Sequence, residues 1–170
     1  MIFVTVGTHE QQFNRLVEYM DQWAKTHNEK VIIQTGYSTY QPKYCEWKKL
    51  YSYKEMSNNV ANARIVITHG GPSSFIAPLQ IGKTPIVVPR RHEYGEHVNN
   101  HQVVFSKTVE ERMRTIKVVE EVEMLGEIID KYDEMVSNME SCIKSNNAKF
   151  CKELEGIVDG LFRGKNKGKN

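Results

Sequence analysis

Two short stretches in the middle of the sequence combine glycine, hydroxyl, histidine and charged side chains. Residues 69–74 read HGGPSS and residues 90–102 read RRHEYGEHVNNHQ, and each stretch follows a short apolar run. In the first, two glycines precede Pro72, which suits the first turn of a helix, and Ser73 and Ser74 follow where a hydroxyl can cap that turn. Free N–H groups at a helix N-terminus favour phosphate or another anion. We therefore predict an anion-binding turn, with an ordinary strand-to-helix turn as the alternative.

The second stretch leaves its strand at the C-terminal end, where open α/β sheets bind their ligands. Its many hydrogen-bonding groups, next to the first stretch, predict a site for a polar, charged ligand. Gly7 and Thr8 follow the first apolar run of the chain and form either a second phosphate contact or a tight turn only. Five histidines fall at the predicted strand ends or in the loops just beyond them: His9, His69, His92, His97 and His101.

Metal ligation is not favoured by the spacing of these residues. His97 and His101 have the i, i+4 spacing that places two ligands on one helical face, but Val98 stands where a zinc hydrolase of the HExxH type carries glutamate. The three cysteines (Cys45, Cys142 and Cys151) show no CxxC spacing. We therefore expect no metal site and no disulfide framework.

Apolar runs rich in β-branched residues alternate with segments of helical periodicity along the chain, which is typical of an α/β fold with a parallel sheet. Strands are predicted at residues 1–6, 30–36, 45–51, 65–67, 85–89 and 116–119. Helices are predicted at residues 13–26, 52–63, 72–82, 98–107, 120–132 and 148–162. Pro78 is expected to distort the third helix, and Gly82 to end it. We predict one Rossmann-like domain over residues 1–162, with a doubly wound, mainly parallel sheet and C-terminal helices, and a disordered basic tail over residues 163–170.

Charge and hydropathy exclude several classes of protein. The formal net charge is +2, and four basic residues in the last eight supply +4 of it, which leaves about −2 for the body and argues against nucleic-acid binding. No apolar run approaches the roughly 20 residues of a membrane span, and no signal-peptide pattern is present. A reduced, cytoplasmic protein is predicted. The first turn reads GTHEQQ rather than GxGxxG, which argues against a dinucleotide-dependent oxidoreductase.

Three segments together resemble a known family: VTVGTH, ITHGGPSSFIAPLQIGKTPIVVPR and GEHVNNHQ. They are similar to the C-terminal domain of glycosyltransferase family 28, the donor-binding half of a GT-B glycosyltransferase. The resemblance extends over residues 1–135. More narrowly, the chain resembles stand-alone subunits of two-part enzymes, namely the soluble subunit of the dolichol-PP-GlcNAc GlcNAc-transferase and bacterial capsule or exopolysaccharide β-1,4-glycosyltransferase subunits.

This resemblance implies a set of substrate-binding residues. Gly7 and Thr8 would face the sugar and the partner, and the segment 52–56, which includes Tyr53, would meet the uracil. The diphosphate would be held by residues of the first stretch and an arginine of the second: Gly70, Gly71, Pro72, Ser73, Ser74 and Arg90 or Arg91. The sugar or ribose hydroxyls would be held by residues of the second stretch: Glu93, Glu96, Asn100, His101 and Gln102. His69 and His97 are also expected to bind substrate, without an assigned part of the ligand.

Two roles stay open at this point. Ala77 stands where the peptidoglycan enzyme of the family carries a ribose-binding glutamate, so either Glu93 or Glu96 replaces it or the backbone alone holds the ribose. Inverting transfer also needs a general base for the acceptor hydroxyl. His9 and Glu96 are the local candidates, and a base on the partner is the alternative.

The resemblance implies an inverting transferase that uses a UDP-sugar and needs no metal or other cofactor. It would transfer a hexose, with galactose favoured over N-acetylglucosamine, to a sugar linked to a polyprenyl diphosphate. The acceptor half would come from a separate membrane-anchored subunit, which would hold this chain at the inner face of the membrane. The helix at 148–162 would pack on that partner or on its own sheet. The competing hypothesis is a subunit that binds nucleotide-sugar or stabilises a partner without catalysing transfer.

Overall fold

The computed structural model describes residues 1–139, together with Lys152 and Glu155, which are both helical. The rest of the predicted helix at 148–162, and the predicted tail at 163–170, lie outside the described residues. Within the described part, no helix is both long enough and apolar enough to cross a membrane.

Six strands in the described part of the chain form one sheet in which every neighbouring pair is parallel. The strands are β1 (Ile2–Thr5), β2 (Val31–Gln34), β3 (Glu46–Lys48), β4 (Ile65–His69), β5 (Ile86–Val88) and β6 (Lys117–Val118). Their order is β3-β2-β1-β4-β5-β6, so the direction of winding reverses between β1 and β4. This is the order of Rossmann-type sheets, and it confirms the predicted fold.

Helices cover both faces of the sheet, as a doubly wound fold requires. They are α1 (Asn14–Thr26), α2 (Tyr53–Asn62), α3 (Pro72–Gln80), α4 (His101–Met113), α5 (Leu125–Asp130) and α6 (Tyr132–Ser137). Ile2 and Val4 of β1 share one apolar core with α1, α5 and α6, whereas Phe3 between them packs with α2 on the other face. Buried Phe75 and Val87 belong to a third cluster, which joins α3 and β5 on that second face. Both faces are therefore buried, as the near-continuous apolar strands indicated.

The stretch before α4 forms a loop where the sequence predicts the start of a helix. The prediction of a helix from residue 98 is wrong, because α4 begins at His101 and continues to Met113. The side chain of Asn99 accepts a hydrogen bond from the His101 N–H at 3.0 Å, a local bond that competes with helix formation. His97 therefore lies outside the helix, and the i, i+4 relation with His101 does not place both on one helical face.

Helix α3 ends as its sequence predicts but begins differently. Gly82 has a φ of +76°, and the Lys83 N–H donates to the carbonyl of Pro78. This 6→1 hydrogen bond is that of a Schellman motif at the helix C-terminus. Gly71 is the N-cap, so Ser73 and Ser74 lie inside the first turn and neither serves as the capping residue.

Two other elements differ from their predicted extent. Strand β3 is shorter than predicted and spans only Glu46–Lys48. The segment 120–132, predicted as one helix, divides into a 3-10 turn, α5 and the start of α6.

Candidate functional site

A cleft of about 430 Å³ lies at the C-terminal edge of the sheet. It opens beside the ends of β1, β2 and β4, where the strand order reverses, which is the place where open α/β sheets bind ligands. The residues that line it are Thr5, Gly7, Thr8, His9, Gln34, Leu50, Tyr51, Met56, His69, Ser73 and Ser74. A larger groove of about 530 Å³, lined by Glu110, Ile128 and Met135 among others, contains none of the predicted site residues.

The imidazole of His69 lies at the centre of the predicted anion-binding turn. Its Nδ1 accepts a hydrogen bond from the Gly71 N–H at 3.0 Å, and its Nε2 lies 2.8 Å from the hydroxyl oxygen of Ser74. Burial, together with the nearby Arg90 charge, lowers the pKa of His69 to about 4. The ring is therefore neutral at pH 7.

Two glycines from different loops make room for this ring. A Cβ on Gly7 or on Gly71 would collide with the His69 imidazole. Gly7 also has a φ of +75°, whereas Gly71 has an ordinary φ of −76°. Gly71 is therefore needed for the space that its missing side chain leaves, and Gly7 for both space and backbone conformation. We call His69 and these two glycines the histidine clamp.

The side chain of Gln102 connects the two predicted stretches through hydrogen bonds to their backbone. Its side-chain Oε1 accepts hydrogen bonds from the N–H groups of Gly70 and Arg90, each at 3.1 Å, and the residue is only 8% exposed. A Cβ on Gly70 would come within 2.9 Å of the Gln102 Cβ. The structure thus places the Gln102 oxygen in the scaffold that fixes both turns, and not on a sugar hydroxyl as predicted.

Arg90 is fully buried and bonded to the backbone. Its guanidinium donates to the carbonyl oxygens of Gln11, Gln12 and Glu96 through Nη1 and of Val6 through Nη2, at 2.8–3.0 Å. Burial lowers its pKa to about 10, so the group stays charged at pH 7. The prediction that Arg90 binds the diphosphate directly does not agree with this geometry, since the guanidinium is fully buried and its two Nη groups bind backbone carbonyls; Nε has no partner among the described residues. Its positive charge still acts on the neighbouring cleft.

Glu96 is also built into the scaffold. Arg15 binds its carboxylate with two parallel hydrogen bonds of 3.0 Å, and the Arg91 N–H adds a third at 3.0 Å. The Glu96 side chain is 1% exposed and that of Arg15 is 15% exposed. A buried carboxylate held by three donors cannot reach a ligand or take a proton from one, so the structure corrects the prediction that Glu96 is the catalytic base or a sugar contact.

Arg91 points into a cluster of acidic side chains. Its guanidinium lies 3.4 Å from the carboxylate of Glu93, 3.6 Å from Glu120 and 2.7 Å from Glu121. None of these four residues lines the cleft. The structure therefore does not bring Arg91 or Glu93 to the predicted diphosphate and ribose sites.

His9 does lie in the cleft, as predicted. Its Nδ1 accepts a hydrogen bond from the Gln11 N–H at 3.2 Å, and the ring centres of His9 and His97 are 4.9 Å apart. Burial lowers the pKa of His9, and the Arg90 and His97 charges add to that effect. The lowered pKa favours the neutral ring, and in that form the bond from the Gln11 N–H to Nδ1 leaves the proton on Nε2.

The other predicted residues are distributed between cleft and surface. Tyr53 is 89% exposed and does not line the cleft. His101 is exposed, and Asn100 is exposed with its side-chain oxygen bonded to the N–H of His92 at 2.8 Å. Of the predicted site residues, the cleft brings together Gly7, Thr8, His9, His69, Ser73 and Ser74.

The cleft contains residues that were not predicted from the sequence, among them Leu50, Tyr51 and Gln34. Leu50 and Tyr51 form one wall next to the end of β2, together with Met56, the last residue of the segment predicted to meet the uracil. Gln34 is buried there, and its side-chain amide donates to the carbonyl of Gly7 at 3.2 Å. A signal was available, because Gln34 is a polar residue at the C-terminal end of an otherwise apolar strand. Thr5 at the equivalent end of β1 accepts the Gly7 N–H at 3.2 Å.

Within the described residues, no group of three or more His, Cys, Asp or Glu side chains is arranged to hold a metal ion. The cleft has no acidic lining residue, and it combines an apolar wall with two hydroxyls at the start of α3. This arrangement suits a ligand with a flat apolar part and an anionic part.

Comparison with known proteins identifies the family of the chain. The family model of the glycosyltransferase family 28 C-terminal domain matches residues 1–159. No curated protein matches the chain significantly. Among solved structures, the chain is similar to the glycosyltransferase SnogD from Streptomyces nogalater, with a TM-score of 0.40 and 15% identity, over 81% of this chain and 39% of SnogD. The chain thus spans about two fifths of the length of that structure. Because the family model covers nearly all of its residues, the chain belongs to the glycosyltransferase family 28 C-terminal domain family.

Proposed function

We propose that this chain is the donor-binding part of an inverting glycosyltransferase that uses a UDP-sugar. It would supply one of the two Rossmann-like halves of a GT-B enzyme, and a membrane-anchored partner subunit would supply the other. The enzyme would transfer a hexose to a sugar that is linked to a polyprenyl diphosphate at the inner face of the membrane. Galactose is favoured over N-acetylglucosamine as the transferred sugar. Family membership supports glycosyl transfer, and the cleft supports the nature of the donor.

The observation that carries the proposal is the composition of the cleft at the reversal of the strand order. Leu50, Tyr51 and Met56 offer an apolar wall on which a pyrimidine ring can pack. Ser73 and Ser74 offer hydroxyls, and the N-terminus of α3 adds a partial positive charge for a diphosphate. The buried charge of Arg90 adds to this potential without any direct contact. A nucleoside diphosphate combines a flat base with an anionic diphosphate, and so it matches both the apolar wall and the start of α3.

The reaction would break the bond between the sugar C1 and the diphosphate and form a new bond from C1 to the acceptor oxygen. The departing UDP takes the electron pair of the broken bond, and the donors at the start of α3 would stabilise its charge. The acceptor hydroxyl must lose its proton to a base. His9 is the candidate in the cleft, but a ring whose Nδ1 accepts the Gln11 N–H has its proton on Nε2 and presents a donor to the ligand.

This geometry at His9 favours a base on the partner subunit. The same geometry is what a nucleotide-sugar-binding subunit without catalytic residues would show, which keeps that second candidate function open. Transfer by the isolated chain would favour His9 as the base. Transfer only with the partner would favour a base on that partner.

Calorimetric titration of the chain with UDP tests the donor site directly. We expect UDP to bind, and Met56→Asp to abolish binding, because it places a charged carboxylate in the apolar wall on which the pyrimidine would pack. Met124→Asp is the matched control, since Met124 is an exposed methionine that lies outside the cleft and should leave binding unchanged. Failure of the wild-type chain to bind UDP would contradict the proposal. A transfer assay with membranes that contain the partner then separates a catalytic subunit from a purely binding one.

A further inference from the structure

The turn before α3 offers fewer backbone donors than its sequence suggests. The Gly70 N–H is bonded to Gln102 at 3.1 Å, and the Gly71 N–H to His69 at 3.0 Å. Pro72 has no N–H group. The two glycines and Pro72 therefore present no free amide to an anion, and the donors that remain at the start of α3 include the Ser73 N–H and the hydroxyls of Ser73 and Ser74.

We propose that His69 is a positioning residue that fixes the hydroxyl of Ser74 as a hydrogen-bond donor to the diphosphate of the ligand. This inference rests on the proposed function, because it takes a nucleoside diphosphate as the ligand. It assigns His69 a role without direct contact with the substrate, whereas the sequence predicted a substrate-binding residue.

The tautomer of His69 follows from its partner at Nδ1. A backbone N–H can only donate, so the Gly71 N–H requires a lone pair on Nδ1. The proton of the neutral ring is then on Nε2, which faces the Ser74 hydroxyl oxygen at 2.8 Å. His69 therefore donates and Ser74 accepts. The low pKa of the ring keeps this arrangement at neutral pH.

The direction of that bond decides what the Ser74 hydroxyl can do next. A hydroxyl has one proton and two lone pairs, and one lone pair now accepts from His69. Among the described residues, no acceptor for the Ser74 hydroxyl proton is found. Ser74 lines the cleft, so that proton is available to an anionic oxygen placed there. An imidazole with its proton on Nδ1 would instead accept from Ser74 through Nε2, and the hydroxyl proton would then be unavailable to the ligand.

The histidine clamp packs the ring between two loops. Gly7 and Gly71 approach it so closely that neither tolerates a Cβ. Because the clamp joins the loop after β1 to the loop after β4, the Ser74 hydroxyl is fixed relative to both walls of the cleft. The donor is thus oriented before the ligand arrives.

The test compares UDP with uridine, which has the same base and ribose but no diphosphate. Calorimetry on the full chain should show that Ser74→Ala weakens UDP binding about tenfold or more, the loss expected for a hydrogen bond to a charged group, and leaves uridine binding unchanged. His69→Asn retains an acceptor for the Gly71 N–H but does not reach Ser74, so it should reproduce the same selective loss. His69→Gln extends an amide donor toward Ser74 and should retain more of the affinity.

A double-mutant cycle separates positioning from independent effects. In the Ser74→Ala background, His69→Asn should add less than about a twofold further loss of UDP affinity, because its effect acts through the absent hydroxyl. Losses that multiply, or an equal loss of uridine binding, would overturn the inference while the proposed function stands. His27→Gln and Ser137→Ala are matched controls, since both residues are exposed and lie outside the cleft. If the wild-type chain binds uridine but not UDP, the proposed function fails together with the inference.

A measurement on the wild-type chain keeps the inference testable if the variants do not fold. Long-range proton–nitrogen NMR spectra at pH 7 should show His69 with an unprotonated Nδ1 and a protonated Nε2. The opposite tautomer, or a doubly protonated ring, would contradict the proposal without any substitution.

Discussion

Replacing Glu96 with alanine should reduce stability far more than an ordinary loop substitution. The change removes a carboxylate that is 1% exposed and that accepts three hydrogen bonds, two of them from Arg15. It leaves the Arg15 guanidinium, which is 15% exposed, without its anion in the interior. Breaking a buried pair by removing one partner costs about 3–5 kcal/mol.

We expect the lower end of that range. Arg15 retains two carbonyl partners, Pro89 and Glu120, which continue to satisfy part of its guanidinium. A loss of about 3 kcal/mol is a large part of the roughly 5–15 kcal/mol that stabilise a domain. With a urea m-value of about 2 kcal/mol/M, the unfolding midpoint should fall by roughly 1.5 M.

Urea denaturation followed by circular dichroism measures this change. Glu93→Ala is the matched control, because Glu93 lies in the same loop with its side chain 49% exposed and an ion pair of 3.4 Å to Arg91. Its midpoint should move by less than about 0.3 M, as for an exposed ion pair. If Glu96→Ala unfolds at the wild-type urea concentration and yet abolishes sugar transfer, the scaffold role is refuted and Glu96 belongs to the reaction.

Two further predictions concern α2 and the pH dependence of stability. Ser52→Ala should destabilise the domain by about 1 kcal/mol, because Ser52 and Glu55 form a reciprocal capping box at the start of α2. The same urea titration measures this loss, and Ser57→Ala on that helix is the control. For His69, the pKa is 6.5 in an unfolded chain and about 4 in the fold, so above pH 6.5 neither state binds the proton and the residue has no effect. As the pH falls from 6.5 to 4, the unfolded chain takes up the proton first, and stability should fall by up to about 3 kcal/mol. Thermal unfolding of the wild type and of His69→Gln across this range should show a steeper decline for the wild type, and parallel curves would contradict the buried neutral ring.

Much of the fold could be predicted from local sequence patterns. Each central strand is a short apolar run, and the physical reason is that a parallel sheet covered on both faces buries every side chain. Gly82 ended α3 as predicted because only glycine adopts its positive φ without cost. The start of α4 was missed because the bond between Asn99 and His101 is a local alternative to the helix, and periodicity does not reveal it.

The candidate site was only partly predictable, and the reason is distance along the chain. Glu96 and Arg90 are charged residues in a polar loop, and the sequence pattern predicts that both side chains contact solvent or a ligand. Their actual partners include Arg15, 81 residues from Glu96, and Val6, 84 residues from Arg90. Such pairings depend on how β1 and β5 are placed in the sheet. Gln34 shows the opposite case, since a polar residue ending an apolar strand was visible in the sequence.

The histidine clamp also has a consequence for how sequences of this family can vary. Gly71 has a φ of −76°, which every residue type adopts, so only the ring of His69 excludes a side chain there. A relative with a small residue at position 69 should therefore tolerate alanine or serine at position 71. Position 7 should remain glycine or asparagine in the same relative, because its backbone has a φ of +75°. Positions 69 and 71 are thus expected to change together in evolution, and position 7 independently of them.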